Sequence, residues 1–143
     1  MLSSSQNAIA AVILAAGAST RMGTPKQLLL YQGRSLLRRV IDTAIAAHCS
    51  PIFVVLGAYS AQIRCELRDL PVQVVENLEW QRGMGSSIRH GIQALIETSP
   101  LVEAAILLLC DQPFVSVPTI HQLESVYRST NNPIIASSYQ NTI

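Results

Sequence analysis

The chain is sparing of charge. Only 13% of its 143 residues are Asp, Glu, Lys or Arg, and the formal net charge is +1. A nucleic acid or an anionic membrane surface would require a basic patch or run that this composition does not supply, so neither partner is expected. Any affinity for an anion must come from local geometry. Long hydrophobic runs are also missing. The apolar stretch from Ala8 to Ala16 is too short to cross a bilayer and follows no basic residue, so neither a span nor a signal peptide is expected. Cysteine is limited to Cys49, Cys65 and Cys110, an odd set without metal-ligand spacing. That excludes a disulfide framework and predicts buried or half-buried thiols in a reducing cytoplasm. His48, His90 and His121 fall on helices or helix ends, again without metal spacing, and no Ser-His-Asp or Cys-His arrangement is visible.

What is abundant is apolar sequence, at 49%, enough for the core of one domain. Short Val, Ile and Leu runs alternate with segments of helical period, the pattern of a mostly parallel sheet with helices on both faces. Strands are predicted at Ala8 to Leu14, Pro51 to Leu56, Val72 to Val75, Ala104 to Leu109 and Ile134 to Ser137. Helices are predicted at Ser35 to Ala47, Ser60 to Leu70, Ser86 to Thr98 and Val117 to Arg128, with Pro118 in the first turn of the last. The fold class is α/β, a three-layer α/β/α sandwich of Rossmann type.

Three segments leave strands at the end of the sheet where such folds bind ligands. The first, Ala15 to Lys26, combines Gly17 and Gly23 with small residues that keep backbone N–H groups accessible. It also holds Arg21, a planar fork of donors, and Lys26, the only lysine in the chain and a mobile point charge. The pair suits a triphosphate, although the spacing is neither GxGxxG nor GxxxxGK[ST]. A plain glycine-rich turn with two solvated cations is the alternative. The second segment, "ENLEWQRGMGSSIRHG", leads through Gly83 and Gly85 into a helix whose first N–H groups, with Ser86 and Ser87, would face a ribose, base edge or phosphate. Simple capping by a serine is the alternative here, and Trp80 either stacks on a heterocycle or packs against the sheet. In the third, "AAILLLCDQPFV", Asp111 follows a buried strand, where a hard cation such as Mg²⁺ would find an oxygen ligand beside phosphates. Capping of the Pro113 turn is its alternative. Asp42 and Asp69 are expected on helices, in solvent.

Together "LAAGASTRMGTPKQLL", "GRSLLRRV", "NLEWQRGMGSSIRHGI" and "LLCDQPFV" resemble the nucleotidyltransferases related to molybdenum cofactor cytidylyltransferase, from Ala11 to about Ser137. The resemblance implies transfer of CMP from CTP to the terminal phosphate of molybdopterin, with release of pyrophosphate. It assigns nucleotide contacts to Leu14, Ala15, Ala16, Gly17, Arg21 and Lys26, and Mg²⁺ binding to Asp111. Arg21, Lys26 and Asp111 are thereby the expected catalytic residues. Asn77, Gly85, Ser86 and Ser87 match the family's second loop, near nucleotide and acceptor. Ala16 places the chain with CTP users, which tend to read LAAG where guanylyl-transferring relatives read LAGG. Relatives continue past the point where this chain stops, so the expectation is one nucleotidyltransferase domain over residues 1–143 lacking its C-terminal part. A molybdoenzyme or sulfurase partner is expected from the same resemblance. A homodimer is allowed through an exposed final strand. The alternatives are another NTP transferase of this fold, using GTP or a sugar or polyol phosphate, and a nucleotide-binding protein without turnover.

Overall fold

In the computed structural model, which describes residues 8–112 and 115–135, the chain begins with β1 (Ala10–Ala15). Two short hairpins follow, β2 (Thr20–Arg21) with β3 (Thr24–Pro25) and β4 (Leu30–Tyr31) with β5 (Arg34–Ser35). The remaining elements are α1 (Leu36–Ala46), β6 (Ile52–Leu56), α2 (Ser60–Arg64), β7 (Gln73–Glu76), α3 (Met84–Thr98), β8 (Ala105–Leu109) and α4 (Val117–Ser129). Four strands form one parallel sheet in the order β7, β6, β1, β8. All residues of β1 and β6 are buried, as expected of central strands covered on both faces.

The pleat sends alternate residues to two layers. Ala11, Ile13 and Ala15 of β1 face a core shared with Leu37, Val40, Ile41 and Ala44 of α1, Ile63 of α2 and Ile120 of α4. Val12 and Leu14 face the other side, with Ile88 and Ile92 of α3, while Ala10 meets Leu95. This is the three-layer sandwich. Helix α1 forms because its apolar residues recur at three and four and because Ser35 Oγ accepts the Arg38 N–H at 3.1 Å. Full burial of Leu37 and Ile41 contributes about 1.5–3 kcal/mol each. Ser116 caps α4 by accepting from Thr119 N, and Pro118 occupies its first turn.

Two predicted elements differ. The segment expected as a helix from Ser60 to Leu70 is helical only to Arg64, then tightens into a 3₁₀ turn at Cys65–Leu67. It still turns Ile63, Leu67 and Leu70 to the core, and Pro71 follows directly, where a helix cannot continue. Ile134 and Ile135, predicted to open a last strand, lie in no strand, and Ile134 is 83% exposed. The rest of that prediction falls outside the described residues. No described helix is long and apolar enough to cross a membrane.

The sheet order fixes where a ligand can sit. From β1 the chain moves to β6 and β7 on one side, then returns to β8 on the other. The carboxyl ends of β1 and β8 therefore flank a topological switch point.

Candidate functional site

A cavity of about 340 Å³ opens at that switch point. One wall is the end of β1 and the turn after it, Leu14, Ala15, Ala16, Gly17 and Ser19. Leu109, Cys110 and Asp111 at the end of β8 form a second, and Lys26 and Gln27 project from the 3₁₀ turn Lys26–Leu28. Lys26 Nζ stands 4.0 Å from Asp111 Oδ2, both side chains about half exposed. The lone lysine and the strand-end carboxylate, 85 positions apart in sequence, thus meet at one mouth. Held this loosely and in contact with water, the pair adds little to stability, and both groups remain free to turn to a ligand.

The segment that reads as one glycine-rich loop is a turn followed by the β2–β3 hairpin. Met22 and Gly23, both at positive φ, make its tip, as two-residue hairpins require. Arg21 is carried on this hairpin, exposed and outside the cavity lining. Gln27, which the sequence reading passed over, is buried, and its Nε2 donates to Ala15 O at 2.9 Å and Gly17 O at 3.0 Å. Its sequence signal was only its place beside Lys26.

The opposite wall consists of Trp80, Gly83, Met84 and Ser87. Trp80 packs on the Val12, Leu14, Ala16 and Val55 cluster as well as lining the cavity. It can do so because residue 57 is glycine: a Cβ there would stand 2.6 Å from Trp80 Cβ and 2.8 Å from Ala16 O. Gly83 has φ +100°, a conformation that side chains other than glycine's rarely adopt, and begins α3. No serine caps this helix. Ser86 and Ser87 are buried inside its first turns, where Asn77 Nδ2 donates to both hydroxyls at 2.9 and 3.0 Å. Asn77 Oδ1 accepts from Glu79 N at 2.8 Å, and Ser86 Oγ donates to Gly83 O at 2.8 Å. Ser86 turns inward, against the expectation that it faces a ligand, because a fully buried amide needs its oxygen; Ser87 serves the same amide. Ser87 still reaches the cavity, whereas Asn77, Ser86 and the exposed Gly85 do not line it.

Burial, with a smaller contribution from the Asp111 charge, pushes the Cys110 thiol up to about 12. It is neutral near pH 7 and serves as wall, not nucleophile. Cys49 is buried too, but Cys65 is exposed, against expectation. Among the described residues no three carboxylate, histidine or cysteine side chains come together, and Asp111 is the one carboxylate in the cavity lining. Such a donor set fits a Mg²⁺-like ion that takes one protein carboxylate and fills its other positions with water and phosphate oxygens.

Comparison with known proteins agrees with this architecture. Residues 11–143 match the MobA-like NTP transferase domain. Nicotine blue oxidoreductase of Paenarthrobacter nicotinovorans is 39% identical over 117 residues, 80% of this chain and 55% of that protein. The bifunctional protein GlmU of Picosynechococcus is 35% identical over 87% of this chain and 27% of its own length. The crystal structure of Rv0371c from Mycobacterium tuberculosis superposes with a TM-score of 0.72 at 31% identity, covering 86% of this chain and 61% of that one. The same protein is known as a manganese complex. The chain thus spans about half the length of the first of these relatives and about a quarter of the second. It belongs to the MobA-like NTP transferase family.

Proposed function

We propose that this chain carries the nucleotide half of a cytidylyltransferase site, passing CMP from CTP to the terminal phosphate of molybdopterin and releasing pyrophosphate. The observation that carries this reading is the meeting of Lys26 and Asp111, 4.0 Å apart, at the mouth of a cavity floored by the turn after β1. A triphosphate lying along Ala15, Ala16 and Gly17 takes hydrogen bonds from the backbone and charge from Lys26. Arg21, on the adjoining hairpin, would reach the same anion from outside the lining. The acceptor phosphate attacks the α-phosphorus in line. The bond to the β-phosphate oxygen breaks, and Lys26 and Arg21 offset charge gathering on the departing pyrophosphate. Asp111 would hold Mg²⁺, which when bound would neutralise charge on the phosphate oxygens. No protein nucleophile is needed, in keeping with the protonated Cys110. Ala16 supports CTP over GTP, through the LAAG reading of the first loop.

Matches to GlmU proteins favour keeping a second reading, transfer to a sugar or polyol phosphate on the same loop. The test is calorimetric titration with CTP, GTP and ATP in Mg²⁺, then pyrophosphate release with molybdopterin or with a sugar phosphate. A titration with NADPH belongs beside it, since one relative is named an oxidoreductase. CTP binding with release on molybdopterin is expected. Failure to bind any nucleoside triphosphate overturns the reading. Lys26→Ala and Asp111→Ala should each abolish release while changing stability by less than about 0.5 kcal/mol, because both side chains are half exposed.

A further inference from the structure

Five consecutive carbonyl oxygens, from the last residue of β1 through the turn after it, are each taken by a donor from elsewhere in the chain. Ala15 O and Gly17 O accept from Gln27 Nε2, at 2.9 and 3.0 Å. Ala16 O accepts from Ala58 N at 3.2 Å, Ala18 O from the Tyr59 hydroxyl at 2.8 Å, and Ser19 O from Lys26 N at 3.0 Å. By contrast, among the described residues the N–H groups of Gly17, Ala18 and Ser19 donate to no protein acceptor. The turn is therefore one-sided, with its acceptors occupied by protein and its donors left over.

We infer that Gln27 and Tyr59 are positioning residues for phosphate, clamping the carbonyl side of this turn so that its N–H side faces the anion. This rests on the nucleotide-binding reading above and adds two residues that act through the backbone they hold, Gln27 from within the cavity lining and Tyr59 from outside it. A second observation supports the role of Gln27. Its Oε1 is buried without a hydrogen-bond partner. An unpaired buried acceptor is destabilising, and a methionine of the same volume would remove it, but only by leaving Ala15 O and Gly17 O without their donor. A side chain there only for packing has no need of an amide; one needed for two donated bonds does. Because Nε2 already serves two carbonyls, the amide cannot turn over to relieve its oxygen without losing both.

The test uses Gln27→Met, Gln27→Glu and Tyr59→Phe in the full chain, titrated with CTP and, separately, with inorganic tripolyphosphate in Mg²⁺. Tripolyphosphate has no base, so it reads the turn alone. Gln27→Met should weaken both ligands about tenfold, which is about 1.4 kcal/mol, with a melting temperature within about 5 °C of the parent. Tyr59→Phe, on a half-buried side chain, should weaken both about threefold. Gln27→Glu supplies a readout that simple packing would not move. Its carboxylate cannot donate at pH 8 but regains a proton at pH 5, so its affinity relative to Gln27→Met should recover as pH falls. Parent-like binding by Gln27→Met and Tyr59→Phe, or a flat ratio of Gln27→Glu to Gln27→Met across that range, overturns the inference and leaves the nucleotide reading standing. If Gln27→Met does not fold, Tyr59→Phe decides. A parent that binds neither anion overturns both.

Discussion

Gly17 and Gly57 both adjoin Ala16, one along the chain and the other across space, yet a methyl group added to each meets opposite surroundings. At residue 57 the new Cβ would stand 2.6 Å from Trp80 Cβ and 2.8 Å from Ala16 O, and neither is the loose end of a flexible side chain. Something fixed must move, so Gly57→Ala should cost about 1–3 kcal/mol through overpacking. For a chain of this size that is a fall in melting temperature of roughly 3–10 °C. Because Trp80 and Ala16 line the cavity, CTP affinity should drop with it. At residue 17 a Cβ meets nothing within 4 Å, and the backbone is outside the left-handed region. Gly17→Ala should leave the free protein as stable or gain about 0.4–1 kcal/mol from reduced freedom of the unfolded chain. Its methyl would nevertheless occupy space that a phosphate needs against the turn, so CTP should bind at least tenfold more weakly. Thermal melts and calorimetric titration of both variants check the pair. Undiminished CTP binding by Gly17→Ala would falsify the placement of the nucleotide, and a parent-like melt of Gly57→Ala would refute the packing of Trp80.

Asn77→Ala removes donors to Ser86 and Ser87 and the acceptor for Glu79 N, all inside the protein, so it should cost about 2–4 kcal/mol, read in urea melts. Lost CTP affinity at unchanged stability would instead return Asn77 to a direct ligand contact. Native iodoacetamide labelling should modify Cys65 and spare Cys49 and Cys110 until denaturant is added; equal rates at all three would contradict their burial. The alkaline limb of stability has a definite sign. Cys49, raised to about 11 chiefly by burial, and Cys110, raised to about 12, keep protons that the unfolded chain loses above the ordinary 9.0. Stability is therefore complete below pH 9 and falls as pH rises toward 11–12, by at most about 1.4 kcal/mol per thiol per pH unit. Replacing both by alanine should flatten that limb in urea melts at pH 8, 9 and 10, and an unchanged slope would show that other groups set it.

Most of the fold can be read from sequence because its central strands are buried on both faces and so appear as unbroken apolar runs. Helices α1 and α4 are equally legible, since each joins a serine cap to an apolar stripe. What escapes is structure too short to have a period. The β2–β3 and β4–β5 hairpins have two residues per strand, and their only marks are the pairs Met22-Gly23 and Gln32-Gly33, whose positive φ angles suit a tight turn. Helix α2 is overestimated because helix-forming residues and apolar positions continue past Arg64, and nothing in the pattern marks where the α-helix tightens into a 3₁₀ turn at Cys65–Leu67.

The site divides along a different line. Lys26 and Asp111 stand out because charge is scarce, and a lone lysine in a small-residue turn invites a chemical explanation. Gln27, Gly57 and Tyr59 carry no such mark, since what they do depends on partners 12, 23 and 41 positions away. The glycines and alanines of the turn make close approach to a ligand sterically feasible, but they do not decide which way the peptide groups point. On the inference above, that direction is set from outside the turn, by a glutamine amide, a tyrosine hydroxyl and the backbone N–H groups of Lys26 and Ala58, each of which takes one or more of its carbonyls. The same glycine-rich stretch without those donors would have carbonyls as free to face the cavity as its N–H groups, and a carbonyl-lined turn repels phosphate. On the proposed reading, an anion site on a chain of net charge +1 rests on occupied acceptors as well as on Lys26 and Arg21.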